Sequence, residues 1–217
     1  MSKLCMFHPL DHPLERGWVG RVDGERVIQL AAQTVQSFFT GGGTAREHAV
    51  YPLAQVRFLA PVLHPPSVRL FETQDSFAFA NPAAIVGPGA LVVGPASTLC
   101  VLPRLAAVVG ASGEIGGFTV LAEWRAPGIE PPKDRDFALG LGPVVVTPDD
   151  PGARDALSAF PEFNWTEAFE LATAGTVLVP GDIVACPVAD RPGELQAGAG
   201  FSYRIDGIGA LEQIVGG

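Results

Sequence analysis

What most limits the fold of this chain is its punctuation. Its 217 residues include 26 glycines and 20 prolines, many set between short runs of Val, Ile and Leu. Proline removes a backbone donor and fixes φ, and glycine weakens a helix interior, so long helices have little room. Short apolar runs bounded by such residues read instead as strands joined by turns. Strands are expected at Leu91–Val93, Leu105–Val109, Phe118–Val120, Phe137–Leu139, Val144–Val146, Ile183–Ala185 and Phe201–Ile205. The pattern predicts a strand-dominated, mixed α+β fold and not an alternating βαβ chain.

The opening 62 residues form their own section. Trp18 to Leu30 reads as strand, turn, strand around Asp23-Gly24, because Asp-Gly readily adopts the positive φ angles of a tight hairpin. Gln33 to Phe39 reads as a short helix stopped by Gly41-Gly42-Gly43, and Tyr51 to Val62 as an extended segment. The prolines from Pro61 to Pro66 make a stiff connector to the main domain, residues 67–217. One helix stands out there, Trp165–Ala174, with Asn164 as its cap and Gly175 as its stop.

Charge excludes some partners. A net charge of −9 repels nucleic acid and anionic membranes at long range, and no basic, aromatic-interleaved stripe offsets it. No apolar stretch approaches a membrane span, and no basic region followed by an apolar run opens the chain, so the cytoplasm is the expected location. Charged residues are only 17% of the chain against 47% hydrophobic, which predicts apolar surface covered by a partner subunit, most simply in a homodimer. Cys5, Cys100 and Cys186 are odd in number and widely spaced, so they are expected as small buried side chains without disulfides. His8, Asp11 and His12 have a metal-like spacing, but Pro9 and Pro13 deny them a regular helix. Gly113 to Gly117 is too short for a phosphate loop and reads as a hairpin turn.

An ordered set of motifs carries a family likeness. The connector reads Pro65-Pro66-Ser67-Val68-Arg69-Leu70-Phe71 and is followed by Asn81-Pro82 and Gly87-Pro88-Gly89. Next come Leu105-Ala106-Ala107-Val108-Val109-Gly110, Gly117-Phe118-Thr119-Val120, and Lys133 with Asp136 and Gly142-Pro143. Thr176 to Ala185 contains Pro180-Gly181-Asp182, and Ile205-Asp206-Gly207-Ile208-Gly209-Ala210-Leu211 lies near the end. In this order the chain resembles the fumarylacetoacetate hydrolase family. The resemblance implies a mixed β-roll core over residues 67–217, a small β-rich N-terminal domain over residues 1–62, and a homodimer.

The same resemblance marks what is missing. The family holds a divalent metal on a Glu-x-Glu pair, whose alternate side chains share one face of a strand, and on a further Asp. The matching positions here are Leu102, Arg104 and Glu123. A leucine donates nothing, and arginine brings a permanent positive charge, so no metal or other cofactor is expected. The family's Glu- and His-bearing helix, which supplies a general base, is deleted between Phe71 and Phe77, and its Gly-Thr-Pro is replaced by Cys186-Pro187-Val188.

By this likeness Glu123 and Lys133 are the candidate catalytic residues, and Arg104, Asp136 and Arg69 the candidate substrate-binding residues. Arg104, Glu123 and Lys133 are expected to converge as an anion pocket, or Arg104 and Glu123 to pair and fill the vacated metal cavity. The functional expectation is a metal-independent or non-catalytic protein that binds a small carboxylate such as an oxo-acid or enol. The alternative is an active hydrolase, isomerase or decarboxylase of β-dicarbonyl or 2-oxo acids using Glu123 and Lys133.

Overall fold

Strands follow the apolar runs in the computed structural model, which describes residues 2–188 and 193–217. The N-terminal section contains β1 (Lys3–Pro9), β2 (Trp18–Asp23), β3 (Arg26–Leu30), α1 (Val35–Thr40), β4 (Glu47–Pro52) and β5 (Val56–Leu59). After the proline connector come β6 (Val68–Thr73), β7 (Ser76–Ala80), β8 (Ile85–Val86) and β9 (Leu91–Val92). Two long strands follow, β10 (Thr98–Val109) and β11 (Ile115–Arg125), then β12 (Leu139–Val146). The last part holds α2 (Pro151–Ser158), α3 (Trp165–Thr173), β13 (Ile183–Ala185), β14 (Leu195–Gln196), β15 (Gly200–Ile205) and β16 (Gly209–Val215).

Among the described residues these strands form two sheets. The larger runs β4-β3-β2-β1-β12-β11-β10-β13-β6-β7, with β5 added on β1, β8 on β12 and β14 on β10; the smaller is β15-β16-β9. The N-terminal strands join the rest of the larger sheet through β1, whose Lys3 and Leu4 pair with Val146 and Val145 of β12. Trp124 on β11 ties the two sheets together: its fully buried indole Nε1 donates to Gln213 Oε1 on β16 at 2.8 Å. Leu91 and Ile214 are exposed where β9 pairs with β16, and Val93 is exposed just beyond it.

Most local expectations hold. Asn164 Oδ1 accepts from Thr166 and Glu167 N–H at the start of α3, and Gly175 beyond its end has φ 72°. Gly113 turns β10 into β11 with φ 84°, and the Pro180-Gly181-Asp182 turn leads into β13. Asp182 accepts from Ser67 Oγ at 2.6 Å and from Val179 N–H at 2.8 Å, which fastens that turn to the proline connector.

Several expectations change. Of the expected strand Phe137–Leu139 only Leu139 is in a strand, and it opens the one that also holds Val144–Val146: β12 starts at Leu139 and pairs with β11 at Gly140 and Gly142. The first hairpin turns one residue later than Asp23-Gly24, since Asp23 still pairs with Arg26 and only Gly24 takes a positive φ. The first helix starts at Val35, where Thr34 caps it by accepting from Ser37 N–H. Helix α2 was not anticipated, although Asp150-Pro151 is a cap followed by a first-turn proline; Asp150 Oδ1 accepts from Gly152 N–H at 3.0 Å.

The cysteines divide two to one. Cys5 and Cys186 are fully buried, and burial pushes the Cys186 thiol up to about 12 and raises Cys5 as well. Cys100 is only half-buried, against expectation, because it sits at the open end of β10; burial still raises its thiol, while nearby Arg125 lowers it. A thiol reagent added to native protein is therefore expected to modify Cys100 alone. The rate should climb with pH, because the thiolate is the nucleophile and a raised pKa leaves little of it at neutrality. In denaturant all three should react; native labelling at Cys5 or Cys186, read by mass spectrometry, would contradict the packing described here.

Candidate functional site

Strands β10 and β11 carry the site. Their antiparallel register sets Cys100 opposite Arg125, Leu102 opposite Glu123 and Arg104 opposite Leu121. Side chains alternate along a strand, so all six lie on one face of the sheet. Further along that face Ala106, Val108 and Leu121 belong to an apolar core cluster with Leu4, Met6 and Leu139. The positions matched to the family's metal ligands, 102, 104 and 123, are thus neighbours in space, at the point where this apolar face gives way to charge.

Arg104 is fully buried, and nearly every donor it has is used. Its Nε and Nη2 donate to Glu123 Oε2 at 3.1 and 2.7 Å. Its Nη1 donates to the Phe71 carbonyl oxygen at 2.6 Å and to that of Cys186 at 2.9 Å. The guanidinium therefore links β6, through Phe71, to Cys186 just past the end of β13. Glu123 is equally buried, and its second oxygen is taken as well: Arg125 Nε donates to Oε1 at 2.7 Å, and Arg125 Nη2 lies 2.6 Å away. A buried charge is tolerated only when paired and hydrogen-bonded, and here both conditions are met.

A fourth charge completes the group. Glu72, at the end of β6, places Oε1 3.3 Å from Arg125 Nη2 and 3.8 Å from Arg104 Nη2. Glu72 and Arg125 open onto a cavity of about 430 Å³ whose other lining residues are Cys100, Leu102, Pro187 and Val188. A second cavity, of about 460 Å³, shares Pro187 and Val188 and reaches Gln74, Phe160 and Phe163. Among the described residues, no group of three His, Cys, Asp or Glu side chains is placed to hold a metal ion.

The expected site residues fall into separate places. Arg104 and Glu123 meet. Lys133 lies in the β11–β12 connection with a mostly exposed side chain, where its Nζ pairs with Asp136 Oδ2 at 2.7 Å. It is Arg125, and not Lys133, that joins Arg104 on Glu123. Asp136 is held through its backbone, whose carbonyl accepts from Asn81 Nδ2 at 2.9 Å. Arg69 is buried elsewhere: it donates to Ser67 Oγ and stacks over Phe79 at 5.2 Å. In that position it buttresses the Ser67–Asp182 contact.

Sequence reasoning missed Arg125 and Glu72. Arg125 had a signal, since Glu123-x-Arg125 on a strand puts both groups on one face. Glu72 had none, because it reaches Arg125 across 53 residues of chain. His8, weighed as a ligand, ends in β1 with Nδ1 2.9 Å from the Pro9 carbonyl oxygen.

Comparison with known structures agrees with this architecture. Maleylpyruvate hydrolase from Sphingobium sp. SYK-6, in complex with manganese(II) ion and pyruvate, superposes with a TM-score of 0.76 at 20% identity, over 99% of this chain and 98% of that one. A 2-hydroxyhepta-2,4-diene-1,7-dioate isomerase from Mycobacterium marinum gives 0.74 at 21%, over 100% and 98%. A 2-keto-3-deoxy-D-arabinonate dehydratase complexed with magnesium and 2,5-dioxopentanoate gives 0.76 at 17%, over 99% and 98%. No protein-family model matches the chain, and no curated protein matches it. The chain has the fold of the fumarylacetoacetate hydrolase family, strand-dominated and mixed α+β, as its ordered motifs led us to expect. Among the described residues no helix is long and apolar enough to cross a membrane.

Proposed function

We propose that this chain is a divergent fumarylacetoacetate hydrolase-family protein in which a buried Arg–Glu network stands where relatives hold a metal, and that it binds a small carboxylate without hydrolysing it. The observation that carries this reading is Arg104, fully buried at a position matched to a metal ligand and bonded to Glu123, the one carboxylate at the three matched positions.

Manganese and magnesium are hard cations that take about six oxygen ligands. Glu123 has both oxygens on guanidinium groups, Leu102 has no donor, and Arg104 adds positive charge at the same spot. These residues do not fit a divalent metal. They also do not fit proton transfer by Glu123, which has no oxygen turned to the cavity, or by Lys133, which is paired in solvent. What the site does offer is Arg125, partly exposed on a cavity of about 430 Å³ with Leu102, Pro187 and Val188 as apolar walls. A forked cation beside apolar walls suits a carboxylate on a short carbon chain, such as pyruvate or its enol.

The test combines metal analysis with thermal shift. Purified protein is expected to carry no stoichiometric metal and to gain no stability from added manganese or magnesium. Pyruvate should raise Tm, by the equivalent of about 2.7 kcal/mol at one hundred times Kd, and Arg125→Met should abolish the rise. Stoichiometric manganese would sink the metal-free reading. Turnover of an acylpyruvate that disappears in both Glu123→Gln and Lys133→Ala would replace it with the hydrolase alternative.

A further inference from the structure

The four charges of the network are not equally held. Glu123 is fully buried, and each of its oxygens lies 2.6–2.7 Å from a guanidinium nitrogen, the usual span of a charge-assisted hydrogen bond. Glu72 is different in three respects. Its only contacts in the network, at 3.3 and 3.8 Å, are longer than that span. Its side chain is 45% exposed, against 0% for Glu123. It also stands in the lining of the cavity, beside Arg125.

We infer that Glu72 is a tethered stand-in for the ligand's carboxylate, and that an entering small acid binds by displacing it from Arg125. This rests on the carboxylate-binding reading above and says which residue governs affinity and selection at that site. The charge count supports it. Within the network Arg104 and Arg125 are balanced by Glu123 and Glu72, and Arg135, which also feels both carboxylates, is paired with Asp134. A monocarboxylate that replaces Glu72 at Arg125 therefore takes over its charge one for one, while Glu194 near Cys100 adds negative charge against a second carboxylate. A neutral molecule that pushed Glu72 aside would leave Arg125 half-paired. A dicarboxylate would bring a second negative charge into a cavity that still has the displaced Glu72 at its rim, on a chain of net charge −9. Such like-charge juxtaposition disfavours binding. The site therefore selects monoanionic short-chain acids, and Glu72 is the specificity-determining residue.

Displacement is mechanically simple. Glu72 closes β6, one residue before its last, where the side chain faces solvent on one side and Arg125 on the other. Arg125 keeps its Nε on Glu123 throughout, so its fork stays oriented while one partner exchanges for another. Arg104 contributes its charge from behind and does not move, because Phe71, Cys186 and Glu123 hold it.

The experiment is a calorimetric titration of wild type, Glu72→Gln and Arg125→Met with pyruvate and with malonate. Glu72→Gln keeps the size of the side chain and removes its charge, and its partial exposure keeps the fold intact. Pyruvate is expected to bind Glu72→Gln about fivefold more tightly than wild type, the worth of one solvent-exposed ion pair removed as competitor. Malonate should gain by a larger factor, narrowing the preference for the monoanion, and Arg125→Met should bind neither. If pyruvate binds wild type and Glu72→Gln with the same Kd, or binds the variant more weakly, Glu72 is no competitor and the inference falls while the carboxylate-binding reading stands. If neither acid binds wild type or Glu72→Gln, the reading itself falls and takes the inference with it.

Discussion

Replacing Arg104 by alanine is expected to destabilise the protein by about 3–5 kcal/mol, the usual cost of breaking a buried ion pair from one side. For a chain of this size that corresponds to a Tm lowered by roughly 10 °C. The loss has two parts. Glu123, fully buried, would keep only Arg125, and the carbonyl oxygens of Phe71 and Cys186 would lose their donor. Urea denaturation measures it directly. The paired replacement Arg104→Met with Glu123→Leu should recover at least half of the loss, because it removes both buried charges together and frees Arg125 to turn to solvent. A single Arg104→Ala variant as stable as wild type would mean that the guanidinium is not the keystone of the β6, β10, β11 and β13 junction.

The second large effect is a gain. In the double variant Leu102→Glu with Arg104→Glu, three carboxylates at positions 102, 104 and 123 share one face of β10 and β11, as the register of those strands requires. Without metal this variant should be less stable than wild type, since it loses the Arg104 bonds and gathers like charges. With manganese it is expected to bind one ion per chain, seen by calorimetry and metal analysis, and to recover stability by about 2.7 kcal/mol once metal exceeds Kd one hundredfold. Wild type under the same conditions should take up none. Equal metal uptake by both proteins would show that Arg104 is no obstacle to a cation and would remove the main support for the metal-free reading.

The fold was legible because its signals are local or ordered along the chain. Gly175 takes a positive φ just past α3, Gly113 and Gly181 take one in the turns before β11 and β13, and Asn164 caps the one helix that the apolar spacing announced. Where reading failed, neighbours overrode the local signal. Gly140 to Pro143 looked like a break between two strands, yet β12 runs on through it, paired with β11 at Gly140, Leu141 and Gly142 and shifting register before Val146. Cys100 looked like another small buried side chain, yet β10 leaves it beside a cavity.

The candidate site divides in the same way. Which residues stand at positions 102, 104 and 123 is a matter of sequence alone, and two-residue periodicity puts 102 and 104 on one face of a strand. That Glu123 shares this face follows from the register of β10 with β11, which run well beyond the expected Leu105–Val109 and Phe118–Val120. Opposite charges at Arg104 and Glu123 in an apolar setting call for pairing, because a buried charge is tolerated only with a partner. Only the tertiary structure decided the rest: that Arg125 takes the other oxygen of Glu123, that Lys133 turns to Asp136, and that Glu72 closes the group at the cavity. The reason is distance along the chain. Arg104 finds its carbonyl partners 33 and 82 residues away, and Arg125 finds Glu72 53 residues away. No periodicity or motif spans such separations; the meeting of β6, β10, β11 and β13 in one sheet creates those contacts, and with them a site whose charges are already paired.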